Sequence, residues 1–177
     1  MAILTKRRHN RPKEVRPYSA LAERVAADPR FKRFMAQRVQ IDRTHDIPYL
    51  AGYSEDGKIV YFDRHFKPFM SKDVDTTPFL LVHEKAEKAC ITLFKLKYQH
   101  AHEIATYLEY KAVIKAGIDW NEYSNYLEPF IRKTERERIR RVPKNLDLKP
   151  YRDEHDVKHL RAMKKAAKTP NGTLETE

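Results

Sequence analysis

The sequence predicts an α+β fold, a small β-hairpin or sheet packed on a mainly helical core. Three observations carry this. Two runs rich in strand formers, residues 47–53 and 58–63, flank an Asp56-Gly57 pair suited to a tight turn with positive φ. Two long runs with helical apolar spacing follow, the first opened by Thr77-Pro78 and the second ended by Gly117. The chain has 177 residues, 41% hydrophobic and 34% charged. That fits about one globular domain and excludes a collagen-like or fully disordered chain.

In chain order, Ser19 to Ala27 reads as a short helix with Leu21, Val25 and some of the alanines on one face. Asp28-Pro29 opens a second, with Asp28 as N-cap and Pro29 at the first helical position, and Phe31, Phe34, Met35 and Val39 roughly at helical spacing. The two are expected to act as a lid or brace. The hairpin follows, and its second strand ends at Arg64 to Pro68. Because a two-stranded hairpin is marginal in water, it has to pack on the helices after it. Thr77 as cap and Pro78 in the first turn start the most apolar helix, which runs to about Leu96. A break between Lys95 and Tyr98 leads into another helix, ended by Gly117 as its C′ residue, and predicts an antiparallel pair. Asp119 caps a helix carrying Trp120, Tyr123, Tyr126 and Leu127, which Pro129 is expected to kink or end before a basic helix from Phe130 to Arg141. A weak helix at Asp153–Lys168 and a disordered tail from Thr169 complete the reading.

The formal net charge is +11, an imbalance that attracts polyanions. It is unevenly placed: residues 1–45 carry 12 basic and 4 acidic side chains, residues 46–127 carry 10 and 12, and residues 128–177 carry 14 and 9. We therefore divide the chain into a basic N-terminal helical arm (1–45), a central hairpin and helical core (46–131) and a basic C-terminal helical extension (132–177). The single cysteine, Cys90, excludes an intramolecular disulfide, fits a reducing compartment, and reads as a buried small hydrophobe in Ala89-Cys90-Ile91. No apolar run approaches a membrane span and the N-terminus lacks the apolar core of a secretion signal, so a cytoplasmic location without membrane contact is expected.

Chemistry concentrates in Leu80-Leu81-Val82-His83-Glu84-Lys85-Ala86-Glu87, a polar group inside an apolar helix. His83 and Glu87, four residues apart, project from one face about a turn apart, as two ligands of one metal ion do. Glu84 points about 100° round the helix, where it could act as general base, like the middle Glu in the His-Glu-x-x-His helix of zinc peptidases. Here Glu87 stands in place of the second His, and zinc accepts carboxylate oxygen as well. A further ligand is expected from Tyr98-Gln-His-Ala-His-Glu-Ile-Ala. His102 is favoured because Ala101 and Ala105 permit close helix approach, with His100, Glu103 and Glu109 as alternatives. Glu109 or Asp63 could take the other ring nitrogen of a metal-bound His. The competing reading is a structural ion pair, in which Glu84 and Glu87 meet Lys88 or lysines of a neighbouring helix.

The order of these elements, from the Asp-Gly hairpin and the strand Ile59-Val60-Tyr61-Phe62-Asp63 to the His-Glu-x-x-Glu and Ala-His-Glu-Ile-Ala helices, resembles zincin-like metallopeptidases predicted among phage and prophage proteins. The resemblance covers residues 46–130. It implies a zincin-like active-site helix and a zinc-dependent hydrolase of peptidase type, with a peptide or protein substrate. His83, Glu87 and His102 would hold the metal, Glu84 would be the catalytic base, and the strand at 58–63 would bind substrate as an added strand. The setting would be the cytoplasm or a phage particle.

Two other classes compete. One is a module that binds nucleic acid, or an acidic protein, non-specifically through its basic arms, with Lys6, Arg7 and Arg8 in one cluster and Arg138, Arg140 and Arg141 in the other. Aromatic stacking platforms are not interleaved with either cluster, and Glu135 and Glu137 interrupt the second. The other class is a non-catalytic structural or assembly protein of a phage particle, with His83 and Glu87 a buried polar pair. His155 and His159 share the four-residue spacing, but their charged neighbours predict plain exposure.

Overall fold

The computed structural model describes residues 18–134 and 140–148. Its elements are α1 (Ser19–Ala27), α2 (Pro29–Ala36), β1 (Gln40–Asp42), β2 (Ala51–Tyr53), β3 (Ile59–Phe62), β4 (Phe69–Ser71), β5 (Val74–Asp75), α3 (Thr77–Phe94), α4 (Tyr98–Lys115) and α5 (Trp120–Thr134). The fold is α+β, with helices predominating and two small sheets, as the patterning predicts.

The hairpin forms where expected. β2 and β3 pair antiparallel with Gly52 opposite Tyr61, and Gly57 takes φ +70° in the turn. Asp56 ties the turn down by accepting from the Ser54 hydroxyl at 2.7 Å and from Lys58 N at 3.1 Å. A third strand adds to it. After α2 the chain runs as β1 parallel to β3, so the sheet order is β1-β3-β2 and β3 is central. Val39 accordingly lies beyond the end of α2, which stops at Ala36. Residues 69–75 form the small β4–β5 hairpin.

The helix starts follow local chemistry. Asp28 caps α2 by accepting from Arg30 N at 2.7 Å, and Asp119 caps α5 by accepting from Asn121 N and Glu122 N. The cap of α3 lies one residue earlier than the sequence predicts, at Thr76. The Thr76 hydroxyl donates to Pro68 O at 2.7 Å, and the Asp75 carboxylate accepts from Thr77 N at 2.9 Å. Thr77 instead accepts from Arg43. α1 turns Ala22 and Val25 inward and leaves Leu21 exposed, which corrects the expected face. α5 continues through Pro129 to Thr134. Pro129 and Asn125 both lie on the solvent side, so the carbonyl that Pro129 cannot serve meets water. The expected basic helix to Arg141 does not form at Arg140 and Arg141, whose backbone groups bind elsewhere.

α3 is the centre of the molecule. Ala86, Ala89 and Cys90 of α3 and Ala101, Ile104 and Ala105 of α4 are fully buried in one cluster that also takes in Ala22 and Val25 of α1 and Phe31 of α2. Small side chains let α3 and α4 approach closely across the break at Lys95–Lys97. The two helices run antiparallel, since His83 meets Glu109 while the later Glu87 meets the earlier His102. Cys90 is buried as expected, and burial pushes its thiol up to about 12, which leaves it an inert hydrophobe. A second cluster, with Val60, Phe62, Leu80, Val113, Tyr123 and Leu127, seats the sheet on α3, α4 and α5. Burying each of its larger side chains contributes about 1.5–3 kcal/mol. α1 is tied to α4 by Glu23, which accepts from the Tyr107 hydroxyl at 2.8 Å and from Lys111 Nζ at 2.6 Å. α1 and α2 thus brace the two central helices.

The segment after α5 returns to the sheet. Ser54 and Leu146 form a bridge, Asp147 N donates to Tyr53 O at 2.9 Å, and the Tyr61 hydroxyl donates to Asn145. Asp46, 5% exposed, holds this return: its carboxylate accepts from Arg140 N at 2.9 Å, Arg141 N at 3.0 Å and the Arg64 guanidinium. Among the described residues no helix is long and apolar enough to cross a membrane. The Asp153–Lys168 helix, the tail from Thr169, and His155 and His159 lie outside the described residues.

Burial raises the Asp46 carboxyl, but the two backbone N–H groups and Arg64 outweigh it and hold the group at about 2, against 3.8 for the free side chain. Its contribution is therefore complete above about pH 4 and is lost as pH falls toward 2. Asp46→Ala is expected to lower the urea-unfolding free energy by about 1–3 kcal/mol at pH 7, with the gap to the wild type closing in acid. Lys95 ends α3 at φ +55°, exposed and without the glycine that this conformation favours. Lys95→Gly is expected to raise stability by about 1 kcal/mol in the same assay.

Candidate metal centre

The helical periodicity that pairs His83 with Glu87 places both in the interior of α3, facing α4. Across from them stands His102. His83 Nε2, Glu87 Oε2 and His102 Nδ1 form a triangle with edges of 3.6 Å (His83 to Glu87), 3.1 Å (Glu87 to His102) and 3.2 Å (His83 to His102). Donors about 2.0–2.2 Å from one tetrahedral ion lie roughly 3.4 Å apart, so these edges fit three ligands on one face of such an ion. His83, Glu87 and His102 form one of two groups among the described residues that could hold a metal.

The groups behind the triangle fix its orientation. Glu109 Oε2 lies 2.8 Å from His83 Nδ1. Glu109 engages Nδ1 and so turns Nε2 toward the triangle. Glu109 is itself held by the Tyr123 hydroxyl, which donates to Oε1 at 2.5 Å. Glu87 is held in the same way, as the Tyr53 hydroxyl donates to its Oε1 at 3.1 Å and leaves Oε2 for the two imidazoles. Burial together with the neighbouring carboxylate pushes each phenol up, so both remain hydrogen-bond donors. Tyr98, one turn before His102, comes within 3.5 Å of His102 Nδ1.

Three carboxylates are buried here, and they are treated differently. Burial disfavours charge on Glu87, but hydrogen bonds and charge from His102 and His83 outweigh it and keep the group ionised. Burial likewise opposes charge on His83, and Glu109 overrides it. Glu84 has no such partner. It is 8% exposed and makes no hydrogen bond or ion pair among the described residues, and burial followed by the charge of Glu87 raises its affinity for a proton. It lines the same cavity of about 700 Å³ as His83, Glu87, His102, Glu109, Tyr53 and Tyr123. A buried carboxyl with raised proton affinity beside candidate ligands has the setting of a general acid–base group.

Of the residues singled out from the sequence, His83, Glu84, Glu87, His102 and Glu109 are brought together. Asp63 is not. Its carboxylate accepts from His65 N at 2.9 Å and Ile47 N at 3.4 Å and lies with Asp46 and His65 in the second group. There Arg64 and backbone N–H groups already occupy Asp46. His100 points away and meets the Tyr18 hydroxyl at 2.8 Å. Two positions on a helix are about 200° apart, so only one of His100 and His102 can face α3. Lys88, weighed as a partner of the buried glutamates, pairs with Asp147 at 2.9 Å. The strand reading of 58–63 is corrected as well: β3 is hydrogen-bonded on both edges, and β2 is the strand that lines the cavity. Lys6, Arg7, Arg8 and Arg138 lie outside the described residues. Arg140 and Arg141 are exposed, with their backbone N–H groups on Asp46.

Tyr53 and Tyr123 were missed as site residues. The available signal was their place at core positions of a strand and a helix, where a buried phenol requires an acceptor. Fold and site together define a small α+β protein whose polar centre could hold a metal through two helices. Comparison with known protein families, curated proteins and solved structures finds no match for the chain.

Removing a group that orients a ligand costs about 10–100-fold in metal affinity. Tyr123→Phe and Glu109→Gln are each expected to weaken zinc binding within that range in a competition titration with a chromophoric chelator. His100→Ala is expected to leave it unchanged.

Proposed function

We propose that the protein is a zinc-dependent hydrolase of peptidase type, with His83, Glu87 and His102 as metal ligands and Glu84 as general base. The observation that carries the reading is the convergence of three candidate ligand atoms at 3.1–3.6 Å from two helices, next to a buried carboxyl that is unpaired among the described residues, in one cavity. The order of elements and its resemblance to phage and prophage zincin-like peptidases agree with it, and imply work in the cytoplasm or in a phage particle.

Zinc, when bound, supplies Lewis-acid chemistry, polarising a carbonyl oxygen and making a water more acidic. The rest falls to the chain. Glu84 takes the proton of the attacking water and hands it to the departing amine, a task suited to a carboxyl whose burial has raised its proton affinity. Glu109 and Tyr123 keep Nε2 of His83 turned toward the triangle, and Tyr53 keeps Glu87 turned toward the imidazoles. The side chain of His102 is 43% exposed, so the centre opens to solvent on the α4 side, where a substrate can enter.

A second reading, a non-catalytic assembly protein, is favoured by one observation. His83, Glu87, His102 and Glu109 hydrogen-bond one another and so form a closed polar brace without a metal. In either reading the basic ends could hold nucleic acid or an acidic protein by charge alone.

Metal content and one substitution separate the two readings. Protein purified without chelators is expected to contain close to one zinc per chain by elemental analysis, and a metal-free preparation overturns the hydrolase. Glu84→Gln is expected to retain zinc while peptide hydrolysis falls by at least ~10²-fold. Unchanged hydrolysis removes Glu84 from the role of base.

A further inference from the structure

The segment that returns after α5 ends against the strand that carries Tyr53. Ser54 bridges Leu146 in antiparallel pairing, Glu55 N donates to Asn145 O at 2.8 Å, and Asp147 N donates to Tyr53 O at 2.9 Å. Residues 145–147 therefore extend the sheet along the edge of β2 that β3 leaves free. Leu146 is buried over Gly52, where a Cβ would meet its Cδ1 at 3.4 Å. The Asp147 carboxylate then reaches α3. Lys88 Nζ donates to it at 2.9 Å and to Glu55 O at 2.9 Å, and the two side chains are only 12% (Lys88) and 15% (Asp147) exposed. The same ammonium lies 4.8 Å from the centre of the Tyr53 ring.

The ring under that ammonium is the one whose hydroxyl donates to Glu87 Oε1 at 3.1 Å. Tyr123, which does the same for Glu109, is held by the rings of Phe79 and Trp120, 5.7 and 5.5 Å away. Tyr53 is held by a cation over its face, an attraction that strengthens where water is excluded. We infer that Lys88 and Asp147 are positioning residues of the candidate metal centre. They fix the backbone and the ring of Tyr53, and through its hydroxyl the carboxylate of Glu87. The inference rests on the metal centre of the hydrolase reading and adds to it a part of the chain beyond α5. Residues 145–147 act as a latch. Closed, it sets the Tyr53 carbonyl and, through Asp147 and Lys88, the Tyr53 ring; open, it releases both, and Glu87 loses the hydrogen bond that turns its Oε2 toward the imidazoles. By linkage, a closed latch tightens metal binding and bound metal favours the closed latch by the same factor.

The sign of one substitution separates positioning from plain charge. Lys88→Met keeps a stem beside the Gly57 turn and removes the ammonium. Acting through charge alone, loss of a cation near the centre strengthens zinc binding. Acting through Tyr53, it weakens zinc binding. Full-length protein is titrated with zinc against a chromophoric chelator, with folding followed by far-UV circular dichroism. Lys88→Met and Asp147→Ala are each expected to weaken zinc about three- to tenfold, and Lys88→Arg to restore the wild-type affinity. Tyr53→Phe is expected to weaken zinc about tenfold, and Lys88→Met added to it to cause no further fall. If Lys88→Met does not fold, Asp147→Ala alone and combined with Tyr53→Phe decides in its place. Unchanged or tighter zinc binding in Lys88→Met, or an equal fall with and without the Tyr53 hydroxyl, overturns the inference and leaves the metal site in place. A wild-type protein that takes up no zinc overturns both. The expected affinities without peptide hydrolysis uphold the inference and count against the hydrolase alone.

Discussion

The close contact of α3 with α4 is the constraint on which the rest of the structure depends. Ala86, Ala89 and Cys90 share one fully buried cluster with Ala101, Ile104 and Ala105. Only at that spacing can a histidine and a glutamate of one helix share a point with a histidine of the other. A larger side chain at any of these alanines would push the helices apart and open the triangle of His83, Glu87 and His102 before it touched any of the three.

Burying three glutamates beside that contact costs free energy that the surroundings offset unevenly. Glu109 is satisfied by His83 and Tyr123, and Glu87 by His102, His83 and Tyr53. Glu84 is left without a hydrogen-bonding partner among the described residues. A fold selected for stability alone would replace such a group by an apolar one, which favours the proposed site over a plain brace. The tyrosines come from β2 and α5, which explains why the sheet and the last helix are needed around a centre whose candidate ligands all lie on α3 and α4.

Much of the secondary structure was legible because its causes are local. Asp28 before Pro29, Asp56 before Gly57, Asp119 before Trp120 and Gly117 after α4 each act within a few residues and appear where the sequence puts them. The errors share the opposite property. The cap of α3 moved because Thr76 binds Pro68, eight residues back. β3 became central because β1 returns beside it from beyond α2, and Arg140–Arg141 left the helical path because Asp46, more than ninety residues earlier, takes their N–H groups.

The sequence by itself determined the pair His83 and Glu87, since the helical repeat places residues four apart on one face whatever surrounds them. It also narrowed the third candidate ligand to neighbouring residues on the next helix. The tertiary structure decided the rest: His102 rather than His100, Glu109 rather than Asp63, and the two tyrosines that hold the carboxylates. Each of these choices depends on which face of one element meets another, and that is set by the packing of residues far apart in the chain, which no local pattern encodes.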